Sequence, residues 1–243
     1  MYDTLDAKIE EYRRIGADNP ELKRWIRESG LWYWLYGILR VRGVNISREQ
    51  ILSILAGELS EDLPLELYSY VHSWAALYAD MQLSAGMQTL PDLKLLARWH
   101  SMLYGSDPQF RKRNPVVYVW GFVPCHFNDI GKQLTELFRE NAHDGHKLHF
   151  MDRAIRLHME FLRIYPFEED NVSLAGALML YTLLLEGIPA AGFTVGEEDY
   201  DILVRKYLSG EDENAFREMF LRSMEHRIES VTELCRKAKD GSF

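Results

Sequence analysis

Residues 164–176 read Ile-Tyr-Pro-Phe-Glu-Glu-Asp-Asn-Val-Ser-Leu-Ala-Gly. Three adjacent carboxylates, Glu168, Glu169 and Asp170, stand directly before Asn171 and an apolar run from Val172 to Leu185 that is interrupted by Ser173 and Thr182. A helix that is apolar on every side belongs at the centre of a bundle. Asn is a favoured N-cap residue. A buried helix N-terminus leaves unpaired N–H groups and a partial positive charge, an arrangement that attracts anions and phosphates in particular. Here the chain supplies anions of its own. The row of acids therefore reads either as part of a reaction site or as a charged helix cap, in which each carboxylate contributes roughly 0.3–1 kcal/mol.

Other chemistry-bearing residues are sparser. His143, His146 and His149 recur at spacing three around Asp144, and His-rich tracts can hold metals. The Asp144-Gly145 turn signal instead favours a solvated loop between helices. Trp32, Tyr33 and Trp34 read as helix-face packing. No P-loop, dinucleotide fingerprint, Ser-His-Asp order or zinc pattern is present. Cys125 and Cys235 form no redox-type or metal-type pair, so free thiols in a reducing cytoplasm are expected.

The elements that must position the acids are mostly helical. Helical spacing covers Leu5 to Ile15, and Pro20 opens a helix running toward Gly43. Ser47 to Gln50 has capping-box form. Helices are predicted over Leu63 to Met81, Leu90 to Leu103, Ile130 to Asn141, Leu148 to Ile164, Asn171 to Glu186 and in the last third. Residues 115–124, Pro-Val-Val-Tyr-Val-Trp-Gly-Phe-Val-Pro, are the best strand signal, a short hairpin turning at Gly121. The chain has 28 Lys+Arg against 37 Asp+Glu, a net charge of −9, which argues against bulk nucleic-acid binding or an anionic membrane surface. The longest apolar run falls short of the roughly 20 residues that a spanning helix needs, and the polar start shows no signal peptide.

Upstream of the acids stands a further pattern. His158, Phe161 and Ile164, then Pro166, Phe167, Glu169 and Asn171, resemble in order and spacing the signature of the Fic (Fido) family, His-x-x-Phe-x-x-Ile followed by His-Pro-Phe-x-Asp/Glu-Gly-Asn-Gly-Arg-x-x-Arg. The resemblance spans Trp32 to about Met224. It implies an all-α fold, a helical bundle around a buried central helix with a small β-hairpin flap, here Val117, Tyr118, Val119 and Trp120. Residues 1–31 are then an N-terminal helical extension and 32–243 a single Fic-like unit. In that family the motif histidine is the general base for transfer of AMP from ATP, and the motif acid coordinates Mg²⁺. This chain has Tyr165 at the base position, Glu169 at the metal position, Asp170 and Val172 for the two glycines, and Ser173 and Gly176 for the two arginines. His158 falls where the family packs a core residue beneath the motif. Arg42 replaces the glutamate of the family's inhibitory helix, and it reads either as a charge pair with the acid row or as a solvated turn residue.

A phenol is mostly protonated at neutral pH and so is a poor base. Phosphoryl-type transfer rests on positioning and charge stabilisation, and here the phosphate-binding cations are gone. The expected function is a catalytically degenerate Fic-fold protein, a binding or regulatory module without AMP transfer. The alternative is a nucleotidyl- or phosphotransferase with non-standard residues, for which ATP and Mg²⁺ would be the cofactors. The resemblance implies protein or peptide docking at the flap by strand addition and is compatible with a homodimer.

Overall fold

The computed structural model describes residues 2–16, 19–60, 62–144 and 147–240. Among them are ten α-helices: α1 (Asp3–Ile15), α2 (Pro20–Val41), α3 (Arg48–Leu55), α4 (Leu65–Gly86), α5 (Leu93–Tyr104), α6 (Ile130–Asp144), α7 (Phe150–Ile164), α8 (Asn171–Leu185), α9 (Glu197–Ser209) and α10 (Glu213–Lys239). A 3-10 turn at Phe127–Asp129 leads into α6.

Local chemistry sets the ends. Asn19 caps α2 by accepting from the N–H groups of Glu21 and Leu22, and Pro20 occupies the first turn, where its missing N–H costs nothing. Ser47 and Gln50 form a reciprocal capping box on α3. Asp92 accepts from the Leu95 N–H at the start of α5, and Gly105 closes that helix in the left-handed region.

Helix α8 occupies the centre, with twelve of its fifteen residues buried. It packs against α7 and α4, while α1 packs against α10. The approach of α2 to α8 is close. A Cβ added at Gly176 would lie 2.9 Å from Trp34 Cζ2 and 3.0 Å from Ile38 Cδ1, so only glycine fits there without displacement. The join expected between residues 31 and 32 falls inside α2.

The predicted hairpin is reduced to its turn. A single antiparallel bridge joins Val117 and Phe122, and among the described residues there is no longer strand. The Gly121 N–H donates to the Val117 carbonyl at 2.9 Å, with Gly121 at φ 71°. The bracketing prolines account for the short ladder. Pro115 and Pro124 offer no N–H to extend it in either direction, and a two-stranded ribbon has little stability of its own. What anchors the turn is its side chains. Val117 and Trp120 are buried, and Trp120 Nε1 donates to Asp201 Oδ1 of α9 at 2.8 Å.

No described helix is long and apolar enough to cross a membrane.

Candidate functional site

The segment between α7 and α8 is shaped by two residues in the left-handed region. Tyr165, at φ 50°, ends α7, and Asp170, at φ 58°, precedes α8. Asp is among the non-glycine residues that tolerate this region best. The backbone at Asp170 thus takes a conformation natural to the glycine that the resemblance places there. Val172 lies within the first turn of α8, where a β-branched residue is tolerated. Asn171 closes the loop on itself: its Nδ2 donates to the Phe167 carbonyl at 2.9 Å, and its Oδ1 accepts from the Phe167 N–H at 3.0 Å. Phe167 is buried, with its ring centroid 4.5 Å from that of His100 and 5.8 Å from that of Phe110.

Arg111, 2% exposed, joins the loop to the flap. Its backbone N–H donates to the Pro166 carbonyl at 2.9 Å. Its guanidinium donates to the carbonyls of Tyr165 (2.7 Å), Ile164 (3.2 Å), Arg113 (2.7 Å) and Cys125, and to Asn114 Oδ1 (3.2 Å). One side chain therefore clamps both legs of the flap to the end of α7. Glu168 adds a weaker tie, accepting from the Lys112 N–H at 3.3 Å.

Arg42 stands at the C-cap of α2, and its Nη2 lies 2.5 Å from Asp170 Oδ1. The two side chains are 29% and 18% exposed, so the pair is partly withdrawn from water. The guanidinium also sits over the Tyr70 ring at 4.7 Å, and the Tyr70 and Ser173 hydroxyls are 3.0 Å apart. A chain of contacts thus runs from α2 through α4 to α8. Charge reversal, Arg42→Glu, would place like charges together and remove the ring contact. The expected loss is roughly 1–3 kcal/mol, measured by urea denaturation at low salt and partly relieved at high salt.

His158 is fully buried in α7. Its Nε2 is 2.8 Å from the Tyr200 hydroxyl, and its ring packs against Phe193 and Phe216. Burial pushes its pKa down to about 4, so it is a neutral core residue at pH 7. The unfolded chain takes up this proton near the ordinary value of about 6.5. Stability from the neutral ring is therefore complete above that pH and declines as pH falls toward the folded value, by roughly 3 kcal/mol in all. A His158→Gln variant should show a shallower fall in unfolding free energy between pH 6.5 and 4.5 than the parent.

Beside the loop lies a cleft of about 390 Å³ lined by His100, Tyr104, Ser106, Asp107, Gln109 and residues 167–170. Among the described residues, four carboxylates and no Lys or Arg line it. Burial pushes the Tyr104 phenol upward and the His100 imidazole downward, favouring neutral forms of both. Glu169 is exposed, and among the described residues no three His, Cys, Asp or Glu side chains are grouped to hold a metal. Of the histidine tract, His143 lies in the last turn of α6 and His149 caps α7, where its Nε2 is 2.9 Å from Asp6 Oδ1; His146 lies outside the described residues.

The structure thus brings together Tyr165, Pro166, Phe167, Asp170, Asn171, Ser173 and Arg42. It leaves His158 in the core beneath them and Gly176 against α2. The sequence reading missed His100, Tyr104, Tyr70 and the clamping role of Arg111. His100 and Tyr104 stand four apart on α5 and so share a face, a signal that was available in the spacing.

Residues 90–183 match the Fic/DOC family. No curated protein matches the sequence. Among solved structures, a Fic domain containing signaling protein from Bacteroides thetaiotaomicron superposes with a TM-score of 0.79 at 17% identity, covering 99% of this chain and 99% of its own. A Fic family protein from Desulfovibrio desulfuricans gives 0.72 at 16%, covering 96% and 75%. Residues 134–508 of Fic-1 from C. elegans give 0.73 at 18%, covering 94% and 70%. Together these findings identify the chain as a Fic-fold protein, with residues 90–183 matching the Fic/DOC family.

Proposed function

We propose that this Fic-fold protein is a binding or regulatory module that does not transfer AMP. The observation that carries the reading is the Arg42–Asp170 ion pair at the entrance of α8. The arginine is already engaged by a carboxylate of the loop, and the adjoining cleft is lined by Asp107, Glu168, Glu169 and Asp170. A nucleotide's phosphates need cations or open backbone N–H groups. Here they would meet acids, so ATP with Mg²⁺ does not fit these residues.

The flap supplies a docking surface in this reading. Tyr118 is 85% exposed, and Val116, Val119 and Val123 also face solvent, while Trp120 and Val117 hold the turn in place. An extended peptide could pair along this rim, with backbone hydrogen bonds giving affinity and side-chain pockets giving selectivity.

The test is incubation with α-labelled ATP and Mg²⁺, alone and with lysate, alongside thermal melting with and without Mg·ATP. The expected result is no label on any protein and no nucleotide-dependent shift. Label that disappears in a Glu169→Ala variant would overturn the proposal in favour of a transferase with unusual residues.

A further inference from the structure

A second cleft, of about 210 Å³, shares no lining residue with the acidic one. Its lining includes Tyr33, Tyr36 and Arg40 from α2, Arg48 from the start of α3, and His226 and Arg227 from α10. Tyr33, Tyr36 and Arg40 recur at helical spacing on one face of α2, whereas Trp34 and Ile38 of the opposite face meet Gly176. Among the described residues no carboxylate lines the cleft, although the chain as a whole carries net charge −9.

Arg227 is the deepest of these residues, at 2% exposure. Its Nε donates to the Ala190 carbonyl at 3.1 Å, and its Nη2 donates to the Ile26 carbonyl at 3.3 Å and to Ser29 Oγ at 2.7 Å. The guanidinium lies 4.2 Å from the Tyr33 ring centre. Among the described residues, its buried Nη1 meets no hydrogen-bond acceptor. Among the described residues, neither Arg227, Arg40 nor Arg48 forms an ion pair; Arg40 lies over Tyr36 and Arg48 over Trp32 and Tyr33. A buried arginine stays protonated, and a buried charge without a counter-charge is costly. Backbone carbonyls and one aromatic face offset part of that cost but supply no negative charge. Three arginines converging on a cleft of this size present more positive charge than a single carboxylate neutralises, and their planar forks match the oxygens of a tetrahedral dianion.

We propose that this cleft is an anion site for a phosphate group, either as free phosphate or as the head of a small phosphate monoester. The site is separate from the acidic loop, and its occupancy does not depend on any transferase activity.

The test is thermal melting and calorimetric titration of the full chain with inorganic phosphate and with phenyl phosphate, each against chloride at matched ionic strength. The expected result is a saturable stabilisation by at least one of the two. Tighter binding of the monoester would identify an ester head as the ligand, and equal affinities would identify free phosphate. Arg48→Gln, at an exposed position, and Arg40→Gln, at a half-buried one, should each weaken binding about tenfold. Arg163→Gln removes the same charge at the exposed end of α7 and should leave binding unchanged. A chloride-like response to both phosphates would overturn the proposal, as would equal weakening in all three variants.

Discussion

Arg111→Ala is expected to lower the unfolding free energy by about 3–5 kcal/mol, the largest loss of any single truncation near the loop. The guanidinium satisfies the carbonyls of Ile164, Tyr165, Arg113 and Cys125 together with Asn114 Oδ1. Truncation leaves several buried acceptors without donors, and each unsatisfied group costs about 1–3 kcal/mol before relaxation or water entry. Arg111→Lys should recover only part of the loss, because three donors on a point charge cannot reproduce the planar fork. The measurement is urea denaturation followed by circular dichroism. Limited proteolysis should show cleavage moving into residues 112–125, since the flap loses the clamp on both legs. A loss below about 1 kcal/mol would mean that the flap is held by Trp120 and Asp201 instead.

The second large effect concerns Gly176. Replacing it with arginine would reinstate the residue that the family resemblance places there, and it should destabilise the fold rather than confer nucleotide binding. The first side-chain atom alone would come within 2.9 Å of Trp34 and 3.0 Å of Ile38. Both of those α2 residues are fully buried. Gly176→Ala should cost about 1–3 kcal/mol by overpacking, and Gly176→Arg should exceed the upper end of that range by forcing a charge into the same contact. Comparing the two variants by thermal melting separates volume from charge. An arginine variant that melts with the parent would show that α2 can move away from α8 at little cost.

The sequence displayed the bundle clearly because the helix signals are local. Pro20, the Ser47–Gln50 box and Asp92 each fix an end within a few residues, and the apolar run after Asn171 could only be a buried helix. The flap was less legible. Val, Tyr and Trp residues promised strands, but pairing depends on how far a ladder can extend, and Pro115 and Pro124 limit it to one bridge. The Arg42–Asp170 pairing could be anticipated from complementary charges at positions linked by the resemblance. The roles of Arg111 and Arg227 could not. Both are arginines buried among backbone carbonyls, and nothing in their neighbouring residues distinguishes them from the many arginines at the surface. The acidic cleft combines α5 with a loop more than sixty residues later, a juxtaposition that only the tertiary packing creates.

Asp170 has two obligations that favour different amino acids. Its positive φ suits glycine, while its contact with Arg42 requires an acid. Exchange for glycine would relax the backbone and at the same moment strand a half-buried cation over Tyr70. Exchange of Arg42 first would leave the acid row facing its own repulsion. Evolutionary drift at either position is therefore contingent on the other, and the two are expected to change as a couple or not at all.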